Sequence, residues 1–350
     1  MNISDVKKEK VFKKIKRIVG TVVIMALFVS VLGGCGNTKS NSGSSTAKSG
    51  SADGKSGELR IAAQPYPLYT PVYVAYNLGY LKEEFDKVGV KFTWDEYQSG
   101  PLVNEAVAAG QEDMGFMADL PAIIAKSSGQ DIEIVSNVAY GEKGLAVLVK
   151  KDSKIKSISD LKGKKVGYAV GSYAQHLLAL LLDKAGLTTD DVDSVNLAAG
   201  DQSAALSNGE VDAIVIWEQF ISKLTSDNTA RVLADGTGVK RGNMITYFVK
   251  DYADKNPKAV EAYIKALNRA DEFIEKNPEK AAETVAENFG VDKQLMLKIL
   301  KNFTYQTELS DEDVAEITAV KDFSLKEGII QNDVDMNSFI NKKYLDDVAK

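Results

Sequence analysis

From Glu58 onward, short apolar runs alternate with longer amphipathic stretches. That rhythm restricts the chain to an α/β architecture with a largely parallel sheet, because strands buried on both faces need helices to cover them. The candidate strands are 59–63, 91–94, 114–117, 133–137, 145–150, 165–168, 194–197, 213–216, 231–234 and 245–250. The clearest helix is 174–185, where Leu177, Leu178, Leu181 and Leu182 recur at helical spacing before Gly186 stops it. Past Lys250 the pattern is helical to the end. Pro257 and Pro278 suit first turns, and Asn256 and Asn277 before them read as caps.

Two segments read as joints. Lys150 to Ser153 breaks an apolar strand, and 235–243, with Gly236, Gly238 and Gly242, closes the strand-helix series that follows. The expected organisation is therefore a first lobe beginning with 58–150, a second lobe at 151–240, and a return to the first with C-terminal helices at 241–350. Two such crossings make a hinged cleft.

The stretch ahead of this body has a different character. Seven basic residues from Lys7 to Arg17 precede an apolar run from Ile18 to Leu32, the charge order of a secretory leader spanning 1–34. The run is shorter than the ~20 residues that a membrane-spanning helix needs. Cys35 follows directly and is the only cysteine, so no internal disulfide can form. Residues 35–57 are nearly all Gly, Ser, Asn, Thr, Ala, Lys and Asp, the composition of a flexible tether. Without the seven basic and two acidic residues of 1–34 the net charge falls from −6 to −11, which argues against nucleic acid as a partner.

Catalysis has few parts to draw on. The chain holds one histidine and one cysteine. No Cys/His nucleophile, metal site or cofactor is expected, and His176 falls in an apolar helical stretch where a structural role is the better reading. Binding has more. At three junctions a strand gives way to a helix through small or polar residues: Ser99-Gly100-Pro101, Ala118-Asp119-Leu120-Pro121 and Gly171-Ser172-Tyr173. Helix starts carry unpaired N–H groups and the positive end of the helix dipole, so together they suit an anion; capping alone would account for any one of them. Asp201 and Glu218 follow later strands and could hold an ammonium or amide group, or equally cap helices. Tyr66, Tyr69, Tyr73, Tyr140, Tyr173, Trp217 and Phe220 fall near the same junctions and could wall an apolar part of a ligand.

Leu32-Gly33-Gly34-Cys35 resembles the bacterial lipobox, which implies cleavage before Cys35 and lipid on its thiol. Residues 155–167 (Ile-Lys-Ser-Ile-Ser-Asp-Leu-Lys-Gly-Lys-Lys-Val-Gly), then Gly171-Ser172, Gly209-Glu210-Val211-Asp212-Ala213 and Trp217-Glu218-Gln219-Phe220, resemble the sulfonate, taurine and nitrate group of ABC-transporter solute-binding proteins. The resemblance implies a two-lobed type II periplasmic-binding-protein fold with a helical C-terminal segment. It implies a cleft lined by Ser99, Gly100, Pro101, Asp119, Ser172, Trp217 and Glu218, with Gln64, Tyr66, Tyr69, Leu120, Tyr140, Tyr173 and Asp201 as further candidates. It also implies a small organic anion as ligand, an aliphatic sulfonate or taurine first, and ABC permease and ATPase subunits as partners. The chain would work outside the cytoplasm, anchored to the membrane through Cys35. Three positions depart from the family pattern: Gln175 stands where a histidine is usual, Trp-Glu-Gln-Phe replaces Trp-Asp-Pro-Phe, and the loop from Gln64 to Tyr69 lacks a glycine-rich turn. These keep nitrate, bicarbonate, an aromatic acid or a pyrimidine open as ligands, and a sensory role open beside import. A pyrimidine-synthase enzyme of similar outline relies on a cysteine-rich motif that is missing here.

Overall fold

The computed structural model describes residues 57–350; the leader, Cys35 and the tether up to residue 56 lie outside the described residues. Strands β1 (Glu58–Ala63), β2 (Lys91–Glu96), β3 (Met114–Ala118) and β4 (Ile132–Tyr140) open a first sheet. Strands β5 (Leu145–Lys150), β6 (Lys165–Tyr168), β7 (Asp193–Asn196), β8 (Ala213–Trp217) and β9 (Ala230–Asp235) make a second, in the order β7-β6-β8-β5-β9. With β10 (Met244–Val249) and β11 (Thr304–Tyr305) the chain returns, completing the first sheet as β11-β4-β10-β3-β1-β2.

The central strands β3 and β8 are buried at every residue, which is why they read as unbroken apolar runs. Each fully buried Ile or Val there contributes about 1.5–3 kcal/mol. Edge strand β2 is mostly exposed or half-buried and mixes in Lys91, Thr93, Asp95 and Glu96.

The helices that bear on the cleft are α1 (Thr70–Asn77), α2 (Tyr80–Lys87), α3 (Gly100–Ala108), α4 (Asp119–Ser127), α5 (Tyr173–Lys184), α6 (Ala199–Asn208) and α7 (Phe220–Ser226). After β10 follow α8 (Lys250–Lys255), α9 (Pro257–Lys276), α10 (Pro278–Val285), α11 (Lys293–Leu300) and α12 (Asp311–Lys326). In α9 the buried residues Val260, Tyr263, Ile264 and Leu267 recur at helical spacing, and the helix packs on α1 and α2. No described helix is long and apolar enough to cross a membrane.

Four sequence expectations need correction. The sheets are mixed rather than largely parallel: β1 with β2 and β3, and β6 with β7 and β8, are parallel, but β10 with β3 and β4, and β5 with β8 and β9, are antiparallel. A strand arriving from the other lobe needs no helical crossover and is free to run either way. Second, β5 belongs to the second sheet, so the chain first crosses at 141–144 and not at Lys150 to Ser153. An apolar strand carries no mark of which sheet will take it. Third, the C-terminal part is not helical throughout, since β11 pairs with Ala139 and Tyr140. Fourth, Pro257 and Pro278 do start helices, but Asn256 and Asn277 make no side-chain cap. Their amides donate backward, to the carbonyls of Tyr252 at 3.0 Å and Phe273 at 3.4 Å, and so close the preceding helices.

Candidate functional site

At the seam between the lobes lies a cavity of about 20 Å³. Gln64, Tyr66, Leu68 and Tyr69 line it from the loop after β1. Ser99 and Gly100 line it from the start of α3, Ala118 and Pro121 from the start of α4, and Ser172, Tyr173 and Trp217 from the second lobe. The volume is near that of a single water site. A larger concavity of about 520 Å³ runs along the crossings and takes in Tyr140, Glu142, Lys143, Arg241 and Lys301. The smaller one is the better candidate site, because polar groups converge there without partners.

Two donors on its lining residues are unmet. The Tyr173 hydroxyl and the Trp217 indole Nε1 are buried and make no hydrogen bond among the described residues. Burial pushes the Tyr173 phenol well above its ordinary value, so it stays protonated and able to donate. The two rings lie 5.7 Å apart, and Tyr66 meets Trp217 edge-on at 5.7 Å. Tyr66 donates to the Gln98 carbonyl at 2.8 Å, and burial raises its phenol to about 12. Gln64 Nε2 donates to the Phe116 carbonyl at 2.8 Å, fixing the first loop to β3.

The helix starts differ in how they are finished. Ser172 caps α5, its Oγ accepting from Ala174 N at 3.3 Å and donating to the Ala169 carbonyl at 2.6 Å. Gln175 accepts from Gly171 N at 2.9 Å and holds the loop. Ser99 stands at the start of α3 without making a side-chain cap, so capping does not account for it. Gly100 is required by crowding, since a Cβ there would lie 2.7 Å from the Pro121 ring.

Other sequence candidates fall outside the lining. Pro101 faces the second lobe instead, its Cγ at 3.4 Å from where a Cβ on Gly171 would sit. Asp119 is not the N-cap of α4 but its first residue, and its carboxylate meets Lys240 Nζ at 2.7 Å. Leu120 and Tyr73 are core residues with no exposure. Tyr140 borders the larger concavity, its ring stacked under the Arg241 guanidinium at 3.5 Å. Asp201 is exposed in the first turn of α6. Glu218 is buried and committed: it accepts from Ser222 N at 3.0 Å, Ser222 Oγ at 2.8 Å and Asn302 Nδ2 at 2.9 Å. Burial raises its carboxyl even so. Asp119, Tyr140 and Glu218 each found a protein partner instead of the cavity.

Sequence reasoning missed Lys240, which is buried inside the glycine-bearing return segment, and the cavity contributions of Leu68, Ala118 and Pro121. Nothing about a lysine among glycines signals burial. Leu68 and Pro121 stood inside segments already singled out. Among the described residues no cluster of His, Cys, Asp and Glu is arranged to hold a metal ion.

Known proteins give this geometry a context. The chain is 28% identical over 328 residues to an aliphatic sulfonates-binding protein of Bacillus subtilis strain 168, covering 93% of this chain and 95% of that one. An aliphatic sulfonates-binding protein of Escherichia coli K12 is 31% identical over 210 residues, 60% of this chain and 66% of its own. The solved alkanesulfonate-binding protein SsuA from Xanthomonas axonopodis pv. citri, bound to MOPS, superimposes with a TM-score of 0.74 at 28% identity, over 82% of this chain and 99% of that one. The architecture is the two-lobed periplasmic-binding-protein fold. The NMT1/THI5 like family model matches residues 66–281, well over half of the chain, and the protein belongs to that family.

Proposed function

We propose that the protein is the substrate-binding component of an ABC importer and captures a small organic anion, with an aliphatic sulfonate as the first candidate. The observation that carries this reading is the pair of buried, unpartnered donors, Tyr173 OH and Trp217 Nε1, at a cavity where α3, α4 and α5 begin. A sulfonate offers three acceptor oxygens and no donor, matching donors that have nothing to accept from them. The carboxylates nearby are neutralised or bonded, Asp119 by Lys240 and Glu218 by Ser222 and Asn302. Relatives named as binding proteins for aliphatic sulfonates and taurine support the same ligand class. His176 supports binding over catalysis, since its Nδ1 is taken up by Lys240 and its ring packs 4.8 Å from Phe323.

The leader and Cys35 extend the proposal: the protein works outside the cytoplasm, held to the membrane by lipid on Cys35, and delivers its ligand to a permease with its ATPase. Tyr66, Trp217 and Phe220 form an aromatic wall that favours, as a second reading, a bulkier or aromatic anion. A thermal-shift panel of alkanesulfonates, taurine, nitrate, bicarbonate, aromatic carboxylates and pyrimidines separates these, because a ligand at 100 times its Kd adds about 2.7 kcal/mol. Stabilisation by sulfonates is expected. Stabilisation by aromatic acids alone replaces the substrate, and no shift with any anion overturns the anion site.

A further inference from the structure

Beside the cavity three buried polar groups stand in line across the two lobes. Lys240 Nζ donates to Asp119 Oδ2 at 2.7 Å, and both side chains are only 2% exposed. The same ammonium lies 2.9 Å from His176 Nδ1. Asp119 is the first residue of α4 in the first lobe, His176 sits in α5 of the second, and Lys240 stands in the segment that returns from one to the other. The first turns of these helices border the cavity, through Pro121 on one side and Tyr173 on the other. An ammonium can only donate, so Nδ1 accepts and the ring is neutral with its proton on Nε2. That Nε2 is itself buried without a protein partner.

We infer that Lys240 is a positioning residue for the ligand site: by joining Asp119 to His176 it latches the two helix starts that border the cavity, and His176 makes this latch release in acid. The inference rests on reading the seam cavity as the ligand site. Asp119 and His176 belong to different lobes, so parting the lobes has to break at least one of the two contacts. The charged groups facing the ring are Lys240 from the return segment and, behind it, Asp119 from α4; α12 brings the Phe323 ring at 4.8 Å.

The direction of the pH effect follows from burial. Burial first, and the Lys240 charge second, hold the closed-form imidazole well below its ordinary value. In the open form the ring is hydrated and titrates near about 6.5. Protons therefore bind the open form better. Closure is at full strength above about pH 6.5 and weakens up to tenfold per pH unit below it, until the closed-form value is reached.

The test uses the full chain with Cys35→Ser, spin labels at Leu102→Cys and Val170→Cys, and no ligand. These sites are 43% and 50% exposed and lie one on each lobe. Pulsed electron-resonance distances are expected to lengthen as pH falls from 8 to 5. His176→Gln should remove that dependence, and Lys240→Met should lengthen the distances at every pH. If Lys240→Met does not fold with Asp119 left unpaired, the Asp119→Asn/Lys240→Met double variant carries the same expectation. Distances indifferent to pH and to all of these variants would overturn the latch, whatever the protein binds. Calorimetry with pentanesulfonate on the unlabelled chain is expected to show the same loss of affinity below pH 6.5. If the distances respond as described while pentanesulfonate does not bind, the latch stands and the ligand assignment fails.

Discussion

The two concavities of the molecule differ in opposite senses in size and in unmet bonding. The groove along the crossings, about 520 Å³, carries exposed lysines, and its half-buried polar groups Arg241 and Asn302 are already engaged. Arg241 pairs with Glu312 at 2.8 Å and Asp313 at 3.0 Å while covering the Tyr140 ring, and Asn302 donates to Glu218. The seam cavity, about 20 Å³, keeps two buried donors without partners. Volume between lobes joined by two crossings is set by how far they close, whereas the donor inventory of their facing surfaces does not change with closure. Unmet donors are therefore the better marker of a binding site than space.

The sharpest way to break that comparison is to remove the donors and keep the rings. A hydrogen bond to a charged acceptor is worth about 1.5–3 kcal/mol, so Trp217→Phe and Tyr173→Phe should each weaken sulfonate binding roughly 10- to 150-fold by calorimetry. Unliganded stability should hold for Tyr173→Phe, because the variant only deletes a buried hydroxyl that has no partner. Unchanged affinity in both variants would mean that these groups never meet the ligand.

A smaller effect is expected from crowding the same cavity. In Gly100→Ala the new methyl would lie 2.7 Å from the Pro121 ring, so α3 or α4 must shift at the cavity wall. Overpacking of this kind costs about 1–3 kcal/mol, read as a lower Tm together with weaker binding. A comparable change in the groove should separate the two readouts. Arg241→Lys loses the forked contact to Glu312 and Asp313 and the stacking on Tyr140, which should lower stability by about 1 kcal/mol and leave affinity within about threefold.

How much of this could be read from the chain depends on whether a feature is local. Strands β5 and β6 match their expected bounds because each is an apolar run bounded by polar or glycine-bearing residues. Ser172 behaves as its position before a leucine-rich helix suggests. The sheet that takes β5 and the partner that takes Asp119 are different matters. Asp119 is answered by Lys240, 121 residues away, and β5 by β8 and β9 far downstream. A carboxylate after a strand has the same local chemistry whether it caps a helix, pairs with a lysine or meets a ligand. That is why Asp119, Glu218, Asp201 and Tyr140 were plausible from sequence and yet do not line the seam cavity. Apart from Gln64 and Leu68, the residues that did converge there are aromatic or small, a character that suits close approach between lobes.

The smallest expected effect is also the one that tests the comparison from its other side. Lys143 and Lys301 are exposed on the larger groove, and neither forms an ion pair among the described residues. If space and positive charge alone attracted the anion, removing them would weaken binding directly. If the unmet donors at the seam hold it, Lys143→Ala and Lys301→Ala change only long-range steering, which salt screens over about 8 Å. Affinity at physiological salt should then stay within about twofold and stability within about 0.5 kcal/mol, as for ordinary surface substitutions. A tenfold loss from either lysine would move the anion to the crossings and make the seam cavity a product of lobe packing.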